Sequence, residues 1–286
     1  MTLLDALARR WAGIDRERLL ASVLGGGVSV DGQVERDPRR AVTASMELSV
    51  DLPGTALRGA RKLDGALDGL GLDVADLCVL DAGAASGGFC DSLLRHGAAA
   101  VVCVDVAYGA LEYRLRQDPR TVVMERTNVM HLSRGQLEPA PDMAVCDLSF
   151  RSLRGAANHL ISLTAAGTLL ALAKPQFEWR DAPDDFGGVV IGGELIADIL
   201  ERLLDDLAGE GVVALAAIES AVRGRRGNRE VFLLLTGETG QVSQAAGFGG
   251  RVAAAGARRP QRLLRRLRAE QEGAARPLRH RSTRPG

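Results

Sequence analysis

Of the 36 basic residues in this chain of 286, only Lys62 and Lys174 are lysines; every other is an arginine. With 34 glycines beside that bias, the composition looks like GC-rich coding, in which surface cations drift to arginine. A lysine that survives such a drift is a candidate for a place arginine cannot fill. An amine can lose its proton in a suitable environment, and a guanidinium effectively cannot. Asp147 terminates the apolar run MAVC, Lys174 terminates TLLALA, Glu230 opens EVFLLL, and Lys62 follows Arg58-Gly59-Ala60-Arg61 ahead of the first core strand. This set suits removal of a proton from a weakly acidic hydroxyl as its oxygen attacks an electrophilic carbon. Two ammonium groups held close disfavour each other's charge, and exclusion of water adds to that, so one can become a neutral base. Asp147 and Glu230 would orient the lysines but also oppose that loss, which leaves open which lysine is neutral. Taken singly, each of the four reads as an ordinary salt bridge at a sheet edge.

A second cluster is Leu80-Asp81-Ala82-Gly83-Ala84-Ala85-Ser86-Gly87-Gly88-Phe89, which follows a strand and opens a helix. Glycines let a backbone approach a ligand closely, and a helix N-terminus offers free N–H groups. The spacing is not the GxGxxG of dinucleotide sites, which argues against NAD. One strand later Asp105 ends AVVCVDV, where an acid can accept hydrogen bonds from both ribose hydroxyls of a nucleoside cofactor or, alternatively, cap a helix.

The elements that must position these groups alternate. LCVLDAG, AVVCVDV, TVVMERT, MAVCDLSF, GTLLALAKPQF, VVALAAIES and EVFLLLTG read as strands. YGALEYRLRQ, SLRGAANHLISL and ELIADILERLLDDLAGEG read as helices, as does a segment carrying Phe89, Leu93 and Leu94. Apolar strands spaced by helices imply a mostly parallel, doubly wound α/β sheet covered on both faces. Asp147 and Lys174 then lie at strand carboxyl ends, where ligands bind. Glu230 joins them if its strand runs antiparallel, and Lys62 must loop back. Residues 1–52 form a smaller unit: helices carrying Leu3, Leu4, Leu7, Trp11 and then Leu19, Leu20, Val23, Leu24, the second capped by Asp15 and stopped by Gly25-Gly26-Gly27, with a hairpin turning at Asp31-Gly32 and a strand MELSVDL. Residues 53–57 read as a linker, 58–238 as the core domain, and 239–286 as a Gly/Arg-rich tail in part disordered. Within it PQRLLRRLRAEQ could be helical, and the arginines form either a solvated tail or a phosphate-binding arm.

Acids balance bases at 36 each, so net charge names no partner. No run reaches the roughly 18 apolar residues of a membrane span, and the N-terminus does not read as a secretory signal. Cys78, Cys90, Cys103 and Cys146 form no CxxC pair and sit in apolar stretches, so they read as reduced core residues of a cytoplasmic protein without a metal site.

The stretches RGARKL, LDAGAASGGF, VDVAYGALEYRLRQDPR, MERTNV, DLSFRSL, KPQFE and GNREVFLLL together resemble the TlyA, or haemolysin-A, family of ribosomal RNA ribose 2′-O-methyltransferases, whose catalytic domain is FtsJ/RrmJ-like. The resemblance implies a Rossmann-like methyltransferase sheet preceded by a small α+β S4-like RNA-binding domain at 1–52. It implies a Lys-Asp-Lys-Glu tetrad on Lys62, Asp147, Lys174 and Glu230, with Lys174 as base. It implies S-adenosyl-L-methionine held by Asp81, Gly83, Ala84, Ser86, Gly87, Phe89, Asp105, Val106 and Asn128, with Asn128 at the adenine edge and Asp147 between cofactor and substrate. The partner implied is ribosomal RNA or a ribosomal subunit. Ala60, Ala107 and Ala110 depart from the family pattern, and Asp181, Asp184 and Asp185 stand in a loop that is usually basic. That acidic loop favours an alternative, an O-methyltransferase of a small metabolite or nucleoside on the same fold. A second alternative is a non-catalytic RNA-binding or ribosome-assembly factor. A membrane-lytic protein, suggested by the family's older name, finds no spanning segment to support it.

Overall fold

A computed structural model of the protein describes residues 1–50 except 13, 15, 26, 27 and 44, together with 57–149, 151–224, 226–237 and 259–274. The N-terminal unit holds helices α1 (Leu3–Arg10) and α2 (Arg16–Gly25) and strands β1 (Val28–Val30), β2 (Gln33–Val34) and β3 (Leu48–Val50), in the antiparallel order β2-β1-β3. Asp31 and Gly32 take φ of 50° and 79°, the left-handed pair that a two-residue hairpin turn requires. Leu3, Leu7, Leu19, Val23, Val28, Val30, Val42 and Leu48 close a core of their own. The expected Asp15 cap and most of the 53–57 linker lie outside the described residues.

The larger unit is a seven-stranded sheet. Its strands are β4 (Cys78–Ala82), β5 (Ala100–Val104), β6 (Thr121–Met124), β7 (Met143–Cys146), β8 (Thr168–Ala173), β9 (Val212–Glu219) and β10 (Val231–Gly237), in the order β6-β5-β4-β7-β8-β10-β9. The first five are parallel, and β10 is antiparallel to both β8 and β9. Side chains alternate across the sheet as the period of two demands. Leu80, Ala82, Val104, Cys146, Ala171 and Leu233 face α6 (Ala157–Ser162), α8 (Gly193–Gly209) and the last helix, α9 (Pro260–Ala274). Val79, Val101, Val145, Leu172 and Phe232 face α3 (Leu57–Leu70), α4 (Gly88–Arg95) and α5 (Tyr113–Arg116). β4 adjoins β5 on one side and β7 on the other, so the strand order reverses there, the position at which open α/β sheets bind ligands beyond their carboxyl ends.

Five expectations are corrected. YGALEYRLRQ is not one helix: Gly109 turns left-handed at φ 69°, Glu125 accepts the Gly109 and Leu111 N–H groups, and only Tyr113–Arg116 is helical. SLRGAANHLISL is likewise shortened to α6, because Gly155 at φ 67° interrupts it. The strand read through KPQF ends at Ala173; Pro175, with its fixed φ, starts a short helix α7 (Pro175–Glu178). The segment before the first core strand is the 14-residue helix α3, which starts at Leu57 inside the expected linker. The expected tail is not free over residues 259–274. There α9 buries Leu263, Leu264 and Leu267 in the sheet core. At its closest approach a Cβ on Gly193 of α8 would collide with the Leu267 carbonyl oxygen. Arg266 pairs with Glu219, and Arg268 pairs with Asp198 and Glu201. Residues 239–258 and 275–286, with Arg276, Arg279, Arg281 and Arg284, lie outside the described residues. No helix among the described residues is long and apolar enough to cross a membrane.

Candidate active site

Three neighbouring strands bring the charged residues to one edge. Asp147 follows β7, and its N–H donates to the Ala82 carbonyl at the end of β4. Lys174 follows β8. Val231 of β10 lies opposite Ala173, so Glu230 and Lys174 sit one step beyond that pair and flank each other. Lys62 reaches the same place from α3. Gly59, one turn earlier, allows the approach: a Cβ there would stand 3.1 Å from the Gly88 Cα of α4. Ala60, which replaces the usual glycine, is only 2% exposed and is accommodated in the core.

Two ion pairs result. Lys62 Nζ lies 2.7 Å from Glu230 Oε2, with side chains 9% and 4% exposed. Lys174 Nζ lies 2.5 Å from Asp147 Oδ1, with side chains 9% and 25% exposed. Lys174 also donates to the Leu148 carbonyl and to Ser149 Oγ, each at 3.1 Å. The loop before β10 packs tightly on the first pair, since a Cβ on Gly224 would stand 2.6 Å from Glu230 Oε1. Asn228, itself buried, ties that loop to its neighbour, donating to the Gly188 carbonyl at 2.9 Å and accepting from the Val190 N–H at 2.8 Å.

The glycine turn follows β4 at the same edge. Gly83 and Gly87 have φ of 87° and 92°, and Ala85 takes 47°. A Cβ on Gly83 would stand 2.9 Å from the Asp147 carbonyl oxygen, and one on Gly87 would collide with Leu115 and Leu111. The left-handed backbone and these contacts leave no room for a side chain at either position. Asp105 holds the turn, accepting from Ala85 N–H at 2.8 Å through Oδ2 and from Ala107 N–H at 2.7 Å through Oδ1. Each oxygen keeps a lone pair for a further donor, as a ribose diol requires. Val106 is exposed beside it. Asn128 is exposed and caps a short 3₁₀ turn through Oδ1. Ala84 is buried and Ser86 half-buried in the turn, whereas Phe89 lies beneath it, 3% exposed, its ring centroid 5.8 Å from that of Phe232.

Asp81 is fully buried, and neither carboxylate oxygen has a hydrogen-bond partner among the described residues. Burial, then the Asp147 charge, push it up to about 8, against the influence of the Cys90 backbone N–H. An unpartnered carboxyl under a bare glycine turn fits a ligand with a cationic amino-acid end. The four cysteines are free and buried, and burial pushes the thiols of Cys78 and Cys146 up to about 11 and about 12.

Glu178 was not singled out from the sequence beyond its place in KPQFE. It is buried on α7, accepts from Ser152 Oγ at 2.5 Å and Leu153 N–H at 2.9 Å, and pairs with Arg154 at 3.1 Å. Burial holds it above the usual carboxylate range. It fastens the 147–154 loop to the helix that follows Lys174. Ser149 and Asn228 are also additions; their partners lie 25 to 40 residues away in the chain, where local spacing gives no signal. The Asp181, Asp184 and Asp185 side chains are exposed, and Asp181 pairs with Arg202 at 2.7 Å.

The chain is similar to several known proteins. TlyA of Mycobacterium tuberculosis, named a 16S/23S rRNA (cytidine-2′-O)-methyltransferase, is 36% identical over 85% of this chain and 92% of its own length. YqxC of Bacillus subtilis, provisionally designated an rRNA methyltransferase, is 34% identical over 80% of this chain and 83% of its own. A solved structure from Streptococcus thermophilus, provisionally designated a hemolysin, aligns with 95% of this chain and 97% of its own at 27% identity, with a TM-score of 0.66. The FtsJ-like methyltransferase model matches residues 56–237, which span the whole sheet and all four charged residues, and the chain belongs to the FtsJ-like methyltransferase family.

Proposed function

We propose that the protein transfers a methyl group from S-adenosyl-L-methionine to a ribose 2′-hydroxyl of ribosomal RNA, with Lys174 as the base. The observation that carries this reading is the Lys174–Asp147 pair beside the bare glycine turn, at the edge where β4 and β7 diverge. The donor supplies an electrophilic sulfonium methyl. Asp105 would receive its ribose hydroxyls, with Val106 and Asn128 toward the adenine. Gly83, Ala84, Ser86 and Gly87 would line the amino-acid end above Asp81, and Phe89 supports the turn from the core. Lys174 takes the proton of the acceptor hydroxyl, while Asp147 and the Leu148 carbonyl fix the direction of its amine. Lys62 of α3 and Glu230 at the start of β10 neutralise each other, so they border the base without adding net charge. The M. tuberculosis relative's named substrate supports RNA, and the N-terminal α+β unit would serve as an RNA-binding module.

The test is methyl transfer from labelled donor to purified small and large ribosomal subunits, with mass-spectrometric mapping of the product. A ribose methyl formed by the unsubstituted protein and absent with Lys174→Arg is the expected result. Methylation of a base would overturn the reading. A second reading, a small hydroxylated metabolite or nucleoside as acceptor, is favoured by the exposed Asp181, Asp184 and Asp185, which would repel a polyanion. It requires transfer to such compounds with none to either subunit. RNA binding without any transfer would leave only an assembly role.

A further inference from the structure

As an ammonium, Lys174 has three N–H groups, and three acceptors surround it: Asp147 Oδ1 at 2.5 Å, with the Leu148 carbonyl and Ser149 Oγ each at 3.1 Å. Two protons of the charged form are hydrogen-bonded, to Leu148 and Ser149, and the Asp147 carboxylate balances its charge. The three acceptors are not equivalent. A carboxylate and a carbonyl only accept, whereas a hydroxyl also donates. Access differs as well: Lys174 is buried and Ser149 is exposed. The Phe177 ring covers another side of the amine, its centroid 5.8 Å from Nζ. Ser149 is thus the exposed hydroxyl of the three, able to accept a proton from Lys174 and release its own to water in a single step. Its loop is pinned further along by Glu178, through Ser152 Oγ and Leu153 N–H.

We propose that Ser149 is a positioning residue for Lys174 and the outlet for its proton. This rests on the reading of Lys174 as base. In transfer, the acceptor oxygen bonds to the methyl carbon of the sulfonium donor, the C–S bonding pair stays on sulfur, and the hydroxyl proton moves to Nζ. Lys174 then gives one proton to Ser149 Oγ as the serine's own proton passes to a water molecule. Rotation about the Ser149 Cβ–Oγ bond restores the starting hydroxyl. Nothing is oxidised or reduced, and water is the sole co-reactant.

The test uses the full chain with ribosomal subunits and S-adenosyl-L-methionine, comparing Ser149→Ala, Ser149→Thr and Ser149→Val. The last two share a shape and differ in the hydroxyl, so they remain informative if the alanine variant folds poorly. Ser149→Ala and Ser149→Val should methylate normally in a single turnover, yet lose roughly tenfold or more in steady-state kcat with KM unchanged. Imidazole buffer should restore their turnover, and Ser149→Thr should resemble the unsubstituted protein. Full turnover by Ser149→Val at every buffer concentration overturns the proposal. So does equal loss in single and multiple turnovers that imidazole does not relieve, since that marks a merely structural role. Lys174→Arg, run in parallel, separates the two ideas. Normal turnover there removes the base itself, whereas a silent Lys174→Arg beside an unimpaired Ser149→Val removes only the outlet.

Discussion

The two ion pairs at the sheet edge use the same residue types and differ in enclosure. In Lys62–Glu230 both partners are sealed, by α3 on one side and the Gly224 loop on the other. In Lys174–Asp147 the carboxylate is a quarter exposed and the amine has an exposed hydroxyl beside it. A buried charge depends strongly on its partner, and its loss is costly. An accessible one can meet a substrate. The difference teaches a division of labour: the closed pair holds α3 and β10 in register with the site, and the open pair carries the proton chemistry.

Breaking the open pair should give the largest effect. Lys174→Arg keeps the charge but cannot act as a base, so transfer should fall roughly 10³-fold or more while calorimetry shows donor affinity within a few-fold of normal. Near-normal transfer would dissolve the contrast between the pairs. Next comes the closed pair. Lys62→Met leaves Glu230 buried without a partner and should cost about 3–5 kcal/mol in a denaturant titration. Lys62→Met with Glu230→Leu should recover most of that stability and no activity; recovered activity would mean the closed pair has no part in the site.

Asp81 lies beneath the open pair and feels its carboxylate. The unfolded chain loses this proton near the ordinary value of 3.8, and the folded chain keeps it until about 8. Stability therefore falls as pH rises between those values and levels off above them. Asp81→Asn should remove that slope, be the more stable protein by a few kcal/mol at most near pH 8, and bind the donor less tightly. Parallel melting curves from pH 5 to 8 for both proteins would refute the buried acid. The smallest effect belongs farthest from the chemistry. Glu270 of α9 pairs with Arg229, the neighbour of Glu230, at 2.8 Å while half-exposed. Glu270→Gln should cost under about 1 kcal/mol and leave transfer unchanged; a large loss of activity would show that α9 sets the position of the closed pair.

Much of this was legible beforehand because apolar strands and terminal polar residues obey local rules. TLLALA and MAVC read as buried strands, and Asp147 and Lys174 necessarily fell at their ends. Glu230 needed one added condition, an antiparallel strand, which β10 meets. Helix α3 was missed although Leu63, Ala66, Leu67 and Leu70 have helical spacing, because Gly59 and Gly65 lower the local signal; Gly59 is there for the contact with α4. The arginines of α9 suggested a solvated or RNA-binding arm. Its Leu263, Leu264 and Leu267 stripe and the acids of α8 and β9 that neutralise it are tertiary facts, distant in sequence. Ser149 and Glu178 were invisible for a similar reason: each acts through a hydrogen bond to a segment some 25 residues away.

The insertion of β10 between β8 and β9 has a consequence for biosynthesis. Translation delivers Lys62 early and Glu230 late, and β9 emerges before the strand that must separate it from β8. A ribosome-bound nascent chain therefore carries an unmatched Lys62 ammonium and an open seam until its closing strand arrives. A chain lacking β10 lacks both Glu230 and the strand that joins β8 to β9.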